Sequence, residues 1–177
     1  MERLLIPFCF AAMIACGGDG SAPVCTGAGC VCADSACTCT AGTDCKTDCD
    51  SACQLACSQA SKCEGSSDDA LTLTCNDTSM CKGFGGDRSN VTCTAMSNCD
   101  FKLGDSSTAT CNMQAICKVQ VGANSTITCS DSSACNIKCD GDCKATCGAG
   151  SECAVTCGVA ASPATTCSAG VFACGPC

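Results

Sequence analysis

Cysteines recur along this chain at a fixed interval of 18 residues. One set falls at positions 39, 57, 75, 93, 111, 129 and 147, and a second set falls at 45, 63, 81, 99, 117, 135 and 153. A period held through seven repeats indicates stacked units, none of which can bury its own apolar face alone. This period constrains the fold more than any single motif in the chain.

Each repeat carries the pattern of two short strands. In the repeat 110–127, Cys117, Val119 and Val121 alternate with Lys118 and Gln120, which is the period of a half-buried strand. A second alternating segment surrounds each Thr-Cys step, and turns rich in Gly, Asp, Asn and Ser separate the two segments. The sequence therefore predicts an all-β solenoid (β-helix) with 18-residue coils of two short strands each, stacked over roughly 35 Å.

Two coils depart from the pattern of the second strand. The segment 64–67 has no large apolar side chain, and Phe84 is one step out of phase. We therefore expect this strand to be irregular in coils 56–73 and 74–91. It is most regular at 98–103, 116–121, 134–139 and 152–157.

The chain has 28 cysteines among 177 residues, five Phe, and neither Trp nor Tyr. Such density is typical of a disulfide scaffold made in an oxidising compartment, where cross-links replace buried area. The two cysteines of a coil flank one turn and point inward, so we predict pairing within coils. Pairing between coils is disfavoured because parallel neighbours point their side chains the same way.

The predicted disulfides form two groups. Seven close one turn of each coil: Cys39–Cys45, Cys57–Cys63, Cys75–Cys81, Cys93–Cys99, Cys111–Cys117, Cys129–Cys135 and Cys147–Cys153. Two close the opposite turn: Cys49–Cys53 and Cys139–Cys143. The pairing of Cys25, Cys30, Cys32 and Cys37 near the N-terminus, and of Cys157, Cys167, Cys174 and Cys177 near the C-terminus, stays open.

The first residues have the pattern of an export signal: a charged start and then an apolar run too short to span a bilayer. The run ends in Met13-Ile14-Ala15-Cys16, which resembles the lipobox of bacterial lipoproteins. The resemblance implies cleavage before Cys16 and acylation of Cys16. Because Gly17 stands where lipoproteins retained at the inner membrane have Asp, it also implies a location at the outer membrane or cell surface. An ordinary secretory signal, with Cys16 in a disulfide, is the alternative.

The segments TCTAGTDC, TCTAMSNC and TCSDSSAC resemble half-coils of insect antifreeze solenoids, although each coil here has six extra residues. The resemblance implies bridges within coils and a threonine face that orders water or binds ice. The candidate residues are Thr72, Thr74, Thr92, Thr108, Thr110, Thr126, Thr128 and Thr146. Exposed threonines also simply favour strands, and Asn90, Lys144 and Ala56 interrupt the array.

Two further motifs have ordinary structural explanations. Asp69, Asp87 and Asp105 recur at one coil position, where Ca²⁺ would relieve repulsion, but solvated turns are the simpler interpretation. Cys174-Gly175-Pro176-Cys177 matches the redox motif of thioredoxins, whose chemistry needs a helix N-terminus. We expect it to form a structural bridge or turn. Cysteine spacing does not favour metallothionein-like storage, so no metal site and no cofactor are predicted.

Composition narrows the function. The formal charge of −8, with nine Lys and Arg, argues against nucleic acid as a partner, and the absence of His removes the usual general base. We expect no enzyme but a rigid structural or interaction rod, adhesion-like and lipid-anchored, whose protein or glycan partner is not identified. The alternative is a solenoid that binds ice or Ca²⁺.

The predicted organisation has five parts. They are a signal peptide (1–15), a lipidated N-terminus with a flexible tether (16–24), an N-terminal cap coil (25–37), the seven-coil solenoid (38–163) and a disulfide-closed C-terminal cap (164–177).

Overall fold

A computed structural model describes residues 23–177, which form an all-β solenoid of about seven turns. This confirms the predicted fold class. The strands are β1 (Val24–Thr26), β2 (Cys30–Ala33), β3 (Ala36–Cys39), β4 (Asp44–Cys49), β5 (Cys53–Cys57), β6 (Lys62–Ser67), β7 (Leu71–Cys75), β8 (Met80–Gly85), β9 (Asn90–Cys93), β10 (Asn98–Leu103), β11 (Thr108–Cys111), β12 (Ile116–Val121), β13 (Ser125–Cys129), β14 (Ala134–Cys139), β15 (Cys143–Cys147), β16 (Glu152–Cys157), β17 (Ser162–Pro163), β18 (Thr165–Ser168) and β19 (Val171–Cys174). Among the described residues there is no helix with the length and apolar character needed to span a bilayer.

The strands lie in two sheets. Sheet A has the order β1-β4-β6-β8-β10-β12-β14-β16-β17, and sheet B has the order β18-β19-β15-β13-β11-β9-β7-β5-β3-β2. In the body of each sheet, neighbours are parallel and pair residues 18 positions apart, as Cys99 with Cys117 and Thr110 with Thr128. Equivalent side chains of successive coils therefore form columns along the solenoid.

Antiparallel strands close both ends. At the N-terminal end, β1 pairs with β4 and β2 with β3, and parallel stacking begins at Ala36. At the C-terminal end, β17 pairs with β16, and β19 pairs with β15 and β18. These short edge strands leave little unpaired backbone for another chain. The predicted signal peptide and Cys16 lie outside the described residues.

The expected irregularity in coils 56–73 and 74–91 is wrong. Strands β6 and β8 pair in register from Lys62 and Met80 to Ser67 and Gly85. Gly65 and Gly83 take the inward positions, and large side chains fill the space above them: a Cβ on Gly65 would lie 3.2 Å from Cδ2 of Leu55. The apolar group missing from one strand is supplied by the facing sheet.

Thirteen disulfides cross-link residues 23–177. Nine of them are the pairs that the spacing predicts, from Cys39–Cys45 to Cys147–Cys153 on one turn and Cys49–Cys53 and Cys139–Cys143 on the other. Each closes a small loop, which stabilises the fold by about 2 kcal/mol. A chain with this many bridges belongs to an oxidising or extracellular environment.

The cysteines left open by the sequence pair at the two ends of the solenoid. The pairs are Cys25–Cys30, Cys32–Cys37, Cys157–Cys174 and Cys167–Cys177. The two cysteines of the thioredoxin-like motif therefore belong to different bridges. Cys174 joins the last strand to β16, and Cys177 joins the end of the described chain to β18.

The turns between paired cysteines hold non-glycine residues in the left-handed region. Examples are Thr78, with φ 62°, and Met96, with φ 59°. Their backbone N–H groups donate to carbonyl oxygens of the next coil, Thr78 to Ala95 at 2.9 Å and Met96 to Met113 at 2.9 Å. The hydrogen-bonded stack thus continues through the turns, which offsets the conformational strain.

Candidate interaction surfaces

The outer face of sheet B carries the predicted threonines in two columns. Thr74, Thr92, Thr110, Thr128 and Thr146 pair in succession and form one column without interruption. The other column reads Gln54, Thr72, Asn90, Thr108, Thr126 and Lys144. Asn90 and Lys144 therefore interrupt only one column, and Ala56 precedes the unbroken run in the other.

Sheet A presents a different surface, which the sequence reasoning missed. Its outward residues include the column Lys46, Glu64, Lys82, Asp100 and Lys118, in which the charge alternates from coil to coil. Lys46 pairs with Glu64 at 3.6 Å and Lys118 with Asp100 at 3.3 Å, both largely exposed. Each such pair contributes at most about 1 kcal/mol. The signal was available, because these charges also recur at 18-residue intervals.

Cations are concentrated on this face. The described chain has eight Lys and Arg, since Arg3 is the only one of nine before residue 23. Six of the eight point outward from sheet A: Lys46, Lys62, Lys82, Lys102, Lys118 and Lys138. Five acidic residues accompany them there: Asp44, Asp48, Glu64, Asp100 and Glu152. The face is slightly positive on a chain of formal charge −8.

Four of these lysines line one depression, named here the lysine pocket. It encloses about 340 Å³, and its rim includes Lys82, Lys102, Lys118, Lys138, Phe84 and Asp100. The Nζ atom of Lys82 lies 4.9 Å from the centre of the Phe84 ring, a cation–π contact. Its volume is within the range of small-ligand sites. A larger groove of about 590 Å³ near the N-terminal end has balanced charges, Lys46, Lys62 and Lys82 against Asp44, Glu64 and Asp100.

The turns opposite the cysteine pairs are acidic, and two of the recurring aspartates have a structural role. The Oδ1 atom of Asp87 accepts a hydrogen bond from the backbone N–H of Asp105 at 2.8 Å. The Oδ1 atom of Asp105 likewise accepts one from the backbone N–H of Ala123 at 2.7 Å. The carboxylates therefore link successive coils. At the nearby Asp140, a hydrogen bond from Gln120 and the charge of Lys138 hold the pKa below its ordinary value.

Sulfur atoms of some core cysteines lie close together, as in Cys57, Cys63 and Cys81, within 4.8 Å of one another. All three are in disulfides and offer no thiolate to a metal.

The geometry defines a disulfide-linked β-solenoid with one threonine face, one charged face and acidic turns. In comparisons with known proteins, the chain shows no significant match to a protein family, a curated protein or a solved structure.

Proposed function

We propose that this protein is a non-enzymatic rod that is exported, acylated at Cys16 and held at the outer membrane or cell surface, where its faces contact a partner. The observation that carries the proposal is the disulfide in every coil of the solenoid, from Cys39–Cys45 to Cys147–Cys153. Covalent links at this frequency keep outward columns rigid over the whole length. Preorganised faces lose little entropy on binding, which suits a recognition surface.

The test is expression in a Gram-negative host of the full chain, Cys16→Ser and Cys9→Ser. The parent is expected to carry acyl chains on Cys16 by mass spectrometry and to react, on intact cells, with a membrane-impermeant amine reagent through its exposed lysines. Cys16→Ser should lose the acyl chains and leave the membrane fraction. Cys9→Ser, a change within the predicted signal, should behave like the parent. An unacylated parent, or one shielded from the reagent, contradicts the proposal.

A second candidate function is the ordering of water or the binding of ice by the threonine face. The unbroken column from Thr74 to Thr146 favours it, because regularly spaced hydroxyl and methyl groups on a rigid sheet can match a lattice. Thermal hysteresis of the purified protein tests this function, with Thr110→Lys expected to abolish it and Thr26→Lys, an exposed position on β1 of sheet A, to preserve it. A parent without hysteresis removes this candidate.

Ca²⁺ binding at the acidic turns has less support, because Asp87 and Asp105 each already use one carboxylate oxygen for a backbone N–H. A melting temperature that does not change with calcium would remove it.

A further inference from the structure

We infer that the lysine pocket of sheet A binds a linear anionic polysaccharide whose acidic sugars carry carboxylates. This inference rests on the proposed role as a surface rod, since it names the partner of one face. The charge distribution is its starting point: four lysines and one aspartate line a single pocket on a chain of formal charge −8. Elsewhere the described surface is neutral or acidic, so an anionic ligand would be steered to this face.

The lysines are spaced for a polymer that lies along the solenoid. Lys82 and Lys118 occupy one column with Asp100 between them, and Lys102 and Lys138 occupy the next column with Gln120 between them. Each pair is therefore two coils apart, roughly 9.6 Å. A linear chain of acidic sugars carries a carboxylate on each sugar and can therefore reach lysines of more than one coil, whereas a compact anion would engage only one lysine pair.

Two of the four lysines are available to such a ligand. Lys118 and Lys138 are engaged by Asp100 at 3.3 Å and Asp140 at 3.4 Å. Neither Lys82 nor Lys102 makes a salt bridge within residues 23–177. The Nζ atom of Lys82 contacts the ring of Phe84, and the charge of Lys102 helps to lower the pKa of Asp140. Lys82 and Lys102 lie in neighbouring columns of successive coils. They are thus the expected carboxylate ligands, each able to donate a charge-assisted hydrogen bond.

The remaining groups suit a sugar better than a peptide or nucleic acid. Phe84 is 37% exposed and pairs in register with Lys102, so its ring offers an apolar surface to the C–H face of a sugar beside a cation. The amide of Asn136 lies on the same wall and can hydrogen-bond hydroxyl groups, whereas that of Gln120 already donates to Asp140. Duplex nucleic acid, with one charge per about 1.7 Å, needs a denser array of basic side chains than these four lysines.

The test measures calorimetric binding of hexagalacturonate to the purified, disulfide-bonded full chain at low salt. We expect saturable binding that weakens as salt rises and no binding of the neutral hexasaccharide maltohexaose. Lys82→Gln/Lys102→Gln should lower the affinity by about tenfold or more, since two charge-assisted contacts are lost. Phe84→Ala should also weaken it. Lys144→Gln, on sheet B, is the matched control and should bind like the parent.

Four results would overturn the inference: no binding of hexagalacturonate, equal binding of maltohexaose, unchanged affinity in the double variant, or equal binding of a hexaglutamate peptide. The last would show a general anion site and not a glycan site. Because binding is measured on purified protein, its failure leaves the surface-rod proposal standing. Conversely, failure of acylation or surface labelling leaves the binding result intact.

Discussion

Gly83 of sheet A lies so close to Leu73 of sheet B that a Cβ on the glycine would be 3.0 Å from the leucine Cδ2 atom. The same Cβ would be 3.1 Å from Cδ1 of Phe101 in the next coil. Leu73 and Phe101 are completely buried. Residues of complementary size, a glycine opposite a leucine or a phenylalanine, therefore fill the thin interior across the two sheets and between coils. Not every strand contributes a large apolar side chain.

Gly83→Ala is expected to destabilise the fold by about 1–3 kcal/mol, because the added methyl group overfills a packed interior. The measurement is the denaturant midpoint of the oxidised protein. Gly148→Ala is the matched control, since the nearest atoms there would be 3.4 Å away, an ordinary contact. Equal midpoints for the two variants would show that the interior around Gly83 yields without cost.

The same glycines show how far the sequence predicts the structure. The 18-residue period defines the coil, the inward cysteines and the nine central bridges, because each rests on spacing within one repeat. The regular path of β6 and β8 depends on side chains from the facing sheet and the next coil, such as Leu55 and Phe101. Periodicity within one strand contains no information about those neighbours. The closing pairs Cys157–Cys174 and Cys167–Cys177 involve the C-terminal cap, which has no repeats, so spacing there allows several pairings.

The sequence predicts the threonine face, but not its division into one unbroken and one interrupted column. The strand register places Asn90 beside Thr108, in the interrupted column, and leaves the column from Thr74 to Thr146 continuous. The lysine pocket was missed because its members come from two columns of sheet A and unite only when coils stack.

Hydrogen bonds connect buried serines at equivalent positions of successive coils. The Oγ atom of Ser107 accepts the backbone N–H of Ser89 at 3.2 Å, and the N–H of Ser107 donates to Oγ of Ser125 at 3.1 Å. Ser107→Ala leaves the buried N–H of Ser89 without an acceptor, so we expect a loss of about 1–3 kcal/mol in the free energy of unfolding.

Ser97→Ala is the control for this loss. Ser97 is as deeply buried, yet its Oγ atom has no hydrogen-bond partner, and Ala115 already occupies the equivalent position of the next coil. Its removal should leave the denaturant midpoint unchanged or slightly raised. If both serine variants lose the same stability, burial and not the hydrogen bond explains the effect.

The left-handed turns offer a stabilising substitution. Thr78 has φ 62°, a conformation in which its β-branched side chain is unfavourable. Its backbone N–H donates to the next coil, and its exposed hydroxyl donates to the carbonyl oxygen of Asp77 at 2.6 Å. Relief of the left-handed conformation, about 1–2 kcal/mol, exceeds the backbone entropy cost of glycine, about 0.5–1 kcal/mol, so Thr78→Gly should raise the free energy of unfolding by about 0.5–1 kcal/mol. Thr72→Gly, in the middle of an exposed strand column, should lower it by about 0.5–1 kcal/mol. A Thr78→Gly protein less stable than the parent would mean that the turn is held by contacts of the threonine itself.

The disulfides allow the effect of chain entropy to be separated from that of packing. Cys93 and Cys99 are six residues apart and almost fully buried, whereas Cys167 and Cys177 are ten residues apart and more exposed. Loop-closure entropy alone assigns the longer loop the larger contribution, by about 0.5 kcal/mol. Packing assigns the opposite order, because loss of the central bridge leaves a cavity and loosens both neighbouring coils. We expect the double variant Cys93→Ala/Cys99→Ala to be the less stable in denaturant titrations, with a broader transition than Cys167→Ala/Cys177→Ala. The reverse order would show that the bridges act mainly on the unfolded chain.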